Sequence, residues 1–171
     1  MGSEMCIRDR TVTLGNERVS LSEGGVLWGM GPSFEECMNE IRRRGAGDDP
    51  LTRQRAAKIY SDGFVTELLT QKIVNALLNG EDPSPYASIR KAKTDLNAQV
   101  MLDFITDLAG PDGMLGLQNL ESEETDPWHW AYLFSRALTI GGGTSEIQRN
   151  IIGERLLGLP REPRPQPGAK S

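Results

Sequence analysis

Two long helical patterns, Pro50 to Asn79 and Tyr86 to Leu108, stand back to back with only Glu81 to Pro85 between them. In the first, Ala57, Tyr60, Phe64, Leu68, Ile73 and Leu77 recur at three-to-five-residue spacing until Asn79-Gly80; in the second, Tyr86, Ile89, Ala92, Leu96, Val100, Phe104 and Leu108 form a face that closes at Gly110-Pro111. Apolar residues at this period line one side of a helix, and a link this short makes the two helices antiparallel neighbours. Pro50 suits a first helical turn, where its missing N–H costs nothing. No stretch alternates like a strand and no solenoid period appears, so the expected fold is all-α, an antiparallel up-down helical bundle.

Shorter elements fit around this pair. From Thr11 to Met30 run Leu14, Val19, Leu21, Val26, Leu27 and Trp28, a first helix that Gly31-Pro32 stops or kinks. Ser33-Phe34-Glu35-Glu36 reads as a capping box, opening a helix with Phe34, Cys37, Met38 and Ile41 on one face and Gly45 at its end. Asp112 to Asp126 is a long irregular connection whose Glu121, Glu123, Glu124 and Asp126 read as a solvated acidic loop, since the spacing is not that of a calcium loop. Asp126-Pro127 then caps a helix through Trp128, Tyr132, Leu133 and Leu138. A last helix should turn Ile147, Ile151, Ile152 and Leu156 inward before Gly158-Leu159-Pro160 stops it.

At 171 residues the chain is one domain's worth. A net charge of -5 argues against a nucleic-acid surface, and Arg42-Arg43-Arg44, the one basic cluster, suits a helix C-terminus. No apolar run is long enough to span a membrane. Cys6 and Cys37 suggest neither a disulfide framework nor a metal pair, and a cytoplasmic, reducing location is expected. His129, the single histidine, reads as a packing or solvent-facing residue, and no metal site is expected. Residues 1–10 show no periodicity and are expected to be a non-native leader; residues 11–159 form the bundle, and 160–171, rich in proline, an extended tail.

The chemistry concentrates near the C-terminus. Gly141-Gly142-Gly143 frees the backbone from side-chain sterics, and Ser145 to Gln148 offers an S-x-x-Q capping box at a helix start. Such a junction is either an ordinary glycine turn or a receptor for a phosphate or polar cofactor edge. The whole run, GGGTSEIQRNIIGERLLGLPRE, resembles the C-terminal signature of the acyl-CoA dehydrogenases, flavoproteins that oxidise the Cα–Cβ bond of an acyl thioester. The resemblance extends from about Thr13 to Glu162 and covers only that family's C-terminal helical part; its helical N-terminal domain and middle β-domain are not in this chain.

The resemblance implies a base that removes a Cα proton while a hydride leaves Cβ for FAD. Many members carry that base as a glutamate just before the Gly-Thr-Ser step, where this chain has Gly142. In the isovaleryl and long-chain branches the base lies in the first helix of the domain, within a Glu-Arg pair; here Glu17 matches it, with Arg18 and Asn16 at the substrate. Read without the family, Glu17 is a solvated first-turn carboxylate. By position, Gly143 lines the substrate end and Thr144, Ser145 and Glu146 meet the flavin. A Gln-x-x-Gly-Gly stretch that reaches a neighbouring subunit's flavin has its counterpart at Asp107 and Gly110, with aspartate for glutamine. An Arg-x-x-Phe-Gly stretch is degraded to Arg43-Arg44-Gly45-Ala46-Gly47, leaving Gln54 as a candidate flavin contact. The implied partners are an acyl-CoA substrate, the remaining domains of the same protein, a homotetramer or mixed-subunit tetramer, and an electron-transfer acceptor protein. The fragment alone is expected to bind FAD poorly and not to turn over. The alternative is a non-catalytic helical subunit that supports an active partner.

Overall fold

The structure is a computed structural model, and it describes residues 31–116 and 126–161. Among these residues every regular element is a helix. They are α1 (Phe34–Arg43), α2 (Pro50–Leu78), α3 (Ser84–Ala109), α4 (Pro127–Leu138) and α5 (Ser145–Ile151), with short 3-10 turns at Ala46–Asp48 and Gly110–Met114. A π turn, Ile152–Leu156, continues α5. The first expected helix, the acidic part of the loop before Asp126 and the proline tail after Arg161 lie outside the described residues.

The starts of α1, α2 and α4 are where the sequence places them, while α3 begins at Ser84, two residues before the expected Tyr86. Ser33 Oγ accepts from the Glu36 N–H at 3.1 Å and the Glu36 carboxylate accepts from the Ser33 N–H at 2.6 Å, closing the capping box of α1. Asp49 caps α2 through the Thr52 N–H, ahead of Pro50, and Asp126 caps α4 through the Trp128 N–H, ahead of Pro127. At the end of α1, Arg43 and Arg44 both grip Glu40, at 2.5 and 2.6 Å. Those contacts, Arg43's hydrogen bond foremost, hold the Glu40 carboxyl below its usual range against the opposing effect of burial. Gly45, at φ +65°, then turns the chain through the left-handed region.

Helices α2 and α3 form the antiparallel pair. Arg55 bonds Asp107, Asp62 bonds Lys93 and Thr70 bonds Arg90, so partners advance along α2 as they retreat along α3. The core gathers around α3, whose Ala98, Met101, Leu102, Phe104 and Ile105 meet Cys37 and Ile41 of α1, Ile59 of α2, and Ala131 and Leu138 of α4. Burial raises the Cys37 thiol to about 12, which makes it an inert packing group.

The apolar faces differ from those expected. On α2, Tyr60, Phe64, Leu68 and Leu77 are 47–57% exposed, and Ala57 is exposed too; the inward positions are Thr52, Ile59, Ile73 and Ala76, with Gly63, Thr66 and Thr70 half-buried. Small residues face α3 because they let the two backbones approach. A Cβ on Gly63 would already touch the side chains of Phe34 and Asn97 at 3.9 Å. With apolar groups on several sides of α2, periodicity selects the bulky row rather than the one in contact. On α3, Phe104 is buried as expected whereas Leu96 and Val100 are half-exposed. Leu133 of α4, Ile147 of α5 and Leu156 of the π turn likewise face outward, while Leu138 is buried. No helix among the described residues is long and apolar enough to cross a membrane.

Candidate functional site

The glycine turn joins α4 to α5, and its sequence dictates its shape. After Leu138 the amides of Ile140 and Gly141 both return to the carbonyl of Ala137, closing the end of α4. Gly142 at φ +66° and Gly143 at φ +100° then reverse the chain in a region that side chains disfavour. A helix starts at once, but with a cap one residue earlier than the S-x-x-Q pattern implies. Thr144 is the N-cap, accepting from the Ile147 N–H, and Ser145 is the first helical residue.

Gln148 is therefore not the distal member of a capping box. It is fully buried beneath the turn, where its side-chain amide donates to the carbonyls of Gly142 at 3.0 Å and Gly143 at 3.3 Å. Buried lysine enters from the other side. Lys91 Nζ of α3 donates to the carbonyl of Gly143 at 3.1 Å, the carbonyl of Leu138 at 3.1 Å and Asp95 Oδ2 at 2.7 Å. An ammonium has three donors, and all three are used. Asp95, four residues on, is buried with it; burial pushes its carboxyl above the ordinary value and Lys91 pulls it back.

Lys91, Asp95 and Gln148 were not among the expected site residues. The i, i+4 spacing of Lys91 and Asp95 is a legible signal, yet on most helices such a pair lies at the surface, and apolar periodicity turns Ala92 and Leu96 inward instead. With the carbonyls of Gly142 and Gly143 held inward, planarity of the trans peptide turns the following amides, those of Gly143 and Thr144, the opposite way. Among the described residues no hydrogen bond takes up the amides of Gly142, Gly143 or Thr144.

The remaining expected residues divide between two places. Glu146 is exposed at the start of α5, and attraction to its own backbone amide, then to Thr144, lowers its carboxyl. Gln54 is exposed near the start of α2, where its neighbour Arg55 pairs with Asp107 at 2.8 Å. Gly110 follows at φ +61°, ending α3. Lys91 and Asp107 are sixteen residues apart on one helix, about 24 Å at 1.5 Å per residue, so the glycine turn and the Asp107–Gly110 corner occupy opposite ends of α3. Asn16, Glu17 and Arg18 lie outside the described residues. His129 Nδ1 sits 3.0 Å from the carbonyl of Gly113, and its ring packs against Gly116. Among the described residues no three His, Cys, Asp or Glu side chains group closely enough to hold a metal ion.

The fit around Gly143 yields a prediction. A Cβ there would stand 2.9 Å from Gln148 Nε2, and Gln148 cannot withdraw without giving up two buried hydrogen bonds. Gly143→Ala is expected to cost about 1–3 kcal/mol through backbone strain and crowding. Denaturant unfolding reads this, and an unshifted midpoint would refute it.

Comparison with known proteins gives a consistent result. Residues 8–157 match the family described as "Acyl-CoA dehydrogenase, C-terminal domain". The acyl-CoA dehydrogenase IpdE1 of Mycolicibacterium smegmatis is 39% identical over 121 residues, covering 71% of this chain and 29% of the relative. Acyl-CoA dehydrogenase FadE34 of Mycobacterium tuberculosis is 28% identical over 152 residues, covering 87% of this chain and 19% of the relative. The chain thus spans less than a third of the length of either relative. Among solved structures, a variant of the Tcur3481-Tcur3483 steroid ACAD superposes with a TM-score of 0.69 at 24% identity, covering 89% of this chain and 40% of that one. The ChsE4-ChsE5 complex of Mycobacterium tuberculosis gives 0.64 at 23%, covering 75% and 36%. At such identities the structures speak for the fold, and they agree with the all-helical bundle described above. With most of its length matched to the C-terminal domain, the chain belongs to the acyl-CoA dehydrogenase family.

Proposed function

We propose that this domain is the C-terminal part of an FAD-dependent acyl-CoA dehydrogenase that introduces a double bond between Cα and Cβ of an acyl-CoA thioester. The observation that carries this reading is the glycine turn. The carbonyls of Gly142 and Gly143 are bound from inside by Lys91 and Gln148, and the amides of Gly143 and Thr144, which no hydrogen bond takes up among the described residues, are turned to the outer side toward a polar group. That donor set fits the edge of a flavin or a thioester oxygen. Thr144, Ser145 and Glu146 would hold the flavin there, and Gly143 would border the substrate. At the other end of α3, Asp107 offers only acceptor oxygens, already shared with Arg55. Asp107 therefore suits cofactor hydroxyl or amine donors rather than phosphate, Gln54 and Gly110 can add donors or acceptors beside it, and their distance from the turn suits a neighbouring subunit's FAD.

When bound, FAD supplies the acceptor for the Cβ hydride. Glu17 takes the Cα proton, a task that needs a carboxylate poised by partial desolvation beside the thioester. Arg18 and Asn16 orient the substrate, while Gly142 contributes no side chain to compete with that proton transfer. The exposed row of Tyr60, Phe64, Leu68 and Leu77 on α2 supports association into a tetramer of like or mixed subunits.

A second reading is favoured by Gly142 itself. Where many relatives carry their base this chain has none, as expected of a supporting subunit in a mixed assembly such as the named ChsE4-ChsE5 complex. The test uses the full-length protein with its FAD and any co-purifying subunit. Anaerobic addition of fatty and steroid side-chain acyl-CoA thioesters should bleach the flavin bound to this chain. Bleaching confined to a flavin held wholly by the other subunit would favour the second reading, and full-length protein that takes up no FAD, alone or with that subunit, would end the first.

A further inference from the structure

We propose that Lys91 is a positioning residue for the glycine turn: its ammonium ties α3 to both the end of α4 and the exit of the turn, and so fixes the direction in which the Thr144 amide points, as Gln148 does for the Gly143 amide through the Gly142 carbonyl. The inference rests on the turn being the flavin and substrate wall proposed above, and it adds a residue that touches neither.

The geometry leaves little alternative use for this lysine. It is buried, its three donors meet three acceptors on three different segments, and its charge is balanced by Asp95 on the same helix rather than by anything beyond it. The carbonyls of Leu138 and Gly143 bracket the glycines, so one side chain holds the entry and the exit of the reversal. Gly143 has a second donor in Gln148, which occupies its remaining lone pair. A residue with a single donor could anchor only one of these segments, and an apolar residue none. Glycines alone would leave a turn with many accessible backbone conformations. The clamp selects one, which is the condition for amides to meet a charge that develops during reaction without reorganising.

The experiment separates positioning from mere stability. In the FAD-loaded full-length protein, Lys91→Met combined with Asp95→Leu replaces the buried pair with apolar groups, a change that buried pairs often tolerate. The double variant should unfold cooperatively at a midpoint lowered less than that of Lys91→Met alone, yet amide exchange at Gly141, which bonds the Ala137 carbonyl, and at Thr144, which would face the bound flavin, should accelerate by at least about tenfold. With acyl-CoA, kcat should fall more than KM changes, and the bound flavin's absorption spectrum should shift. Exchange unchanged in a folded double variant would overturn the proposal. So would faster exchange with an unaltered spectrum and unaltered kinetics, because the clamp would then serve stability alone. If the wild type itself is not reduced by any acyl-CoA, the functional reading falls, while a shifted flavin spectrum together with faster exchange still upholds Lys91. If the double variant does not fold, lysine 15N labelling of the wild-type protein decides: a slowly exchanging Lys91 ammonium upholds the clamp, and a rapidly exchanging one overturns it.

Discussion

On the proposed function, Glu17→Gln in the full-length protein loaded with FAD is expected to lower the rate of flavin reduction by acyl-CoA by about 10²- to 10⁴-fold, the range a positioned general base contributes, while FAD content stays normal. Glutamine keeps the size and polarity of the side chain and removes only its capacity to take a proton. A loss of reduction with retained flavin thus isolates the proton-transfer role from folding and cofactor binding. The expectation rests on the proposed match of Glu17 to the base carried in the first helix, together with Gly142, whose lack of a side chain leaves the glycine turn without a carboxylate at that position. If reduction proceeds undiminished, Glu17 is not the base, and the supporting-subunit reading gains. Asp107→Asn makes a useful companion, because Asp107 lies at the far end of α3 from the turn and, among the described residues, pairs with half-exposed Arg55 alone. Its effect should appear as weaker FAD retention rather than slower chemistry.

Lys91→Met alone is expected to destabilise the domain by about 3–5 kcal/mol, the usual result of removing one partner of a buried ion pair. The single change leaves Asp95 without its counter-charge and strips two backbone carbonyls of a donor. The loss should depend on pH, and its sign follows from Asp95. Burial already raises that carboxyl, and without Lys91 no other group among the described residues opposes the rise. The folded variant would then hold a proton that the unfolded chain releases above about pH 4. Since the folded state binds more protons, stability falls as pH increases, and the deficit relative to wild type should be smaller near pH 5 than near pH 8. Denaturant unfolding at the two values checks both parts. A deficit below about 1 kcal/mol, or one growing toward acid, would contradict the burial and pairing on which this expectation stands.

Much of the architecture was legible because helix punctuation is local. Ser33 with Glu36, Pro50, Asp126 with Pro127, and Gly45, Gly110 and Gly158 act through backbone amides and left-handed turns within a few residues, so neighbouring letters suffice to place them; the Asp49 cap ahead of Pro50 emerged only in the structure. Which side of each helix faces inward was less legible. The bulky row on α2 won the periodicity argument, but contact with α3 was decided by how closely two backbones could approach, a property of the pair rather than of either helix.

The site divides the same way. By itself the sequence determined an all-helical bundle, a glycine reversal leading into a capped helix, and a family signature along it with glycine at position 142. Only the tertiary structure decided what lies behind that reversal. Lys91 and Gln148 reach Gly143 from positions 52 and 5 residues away, and whether a polar side chain is buried against a particular carbonyl depends on how helices pack in three dimensions. A lysine and an aspartate one turn apart look like a surface pair until α4 and the turn close over them and exclude the water that would otherwise serve all three carbonyl and carboxylate acceptors.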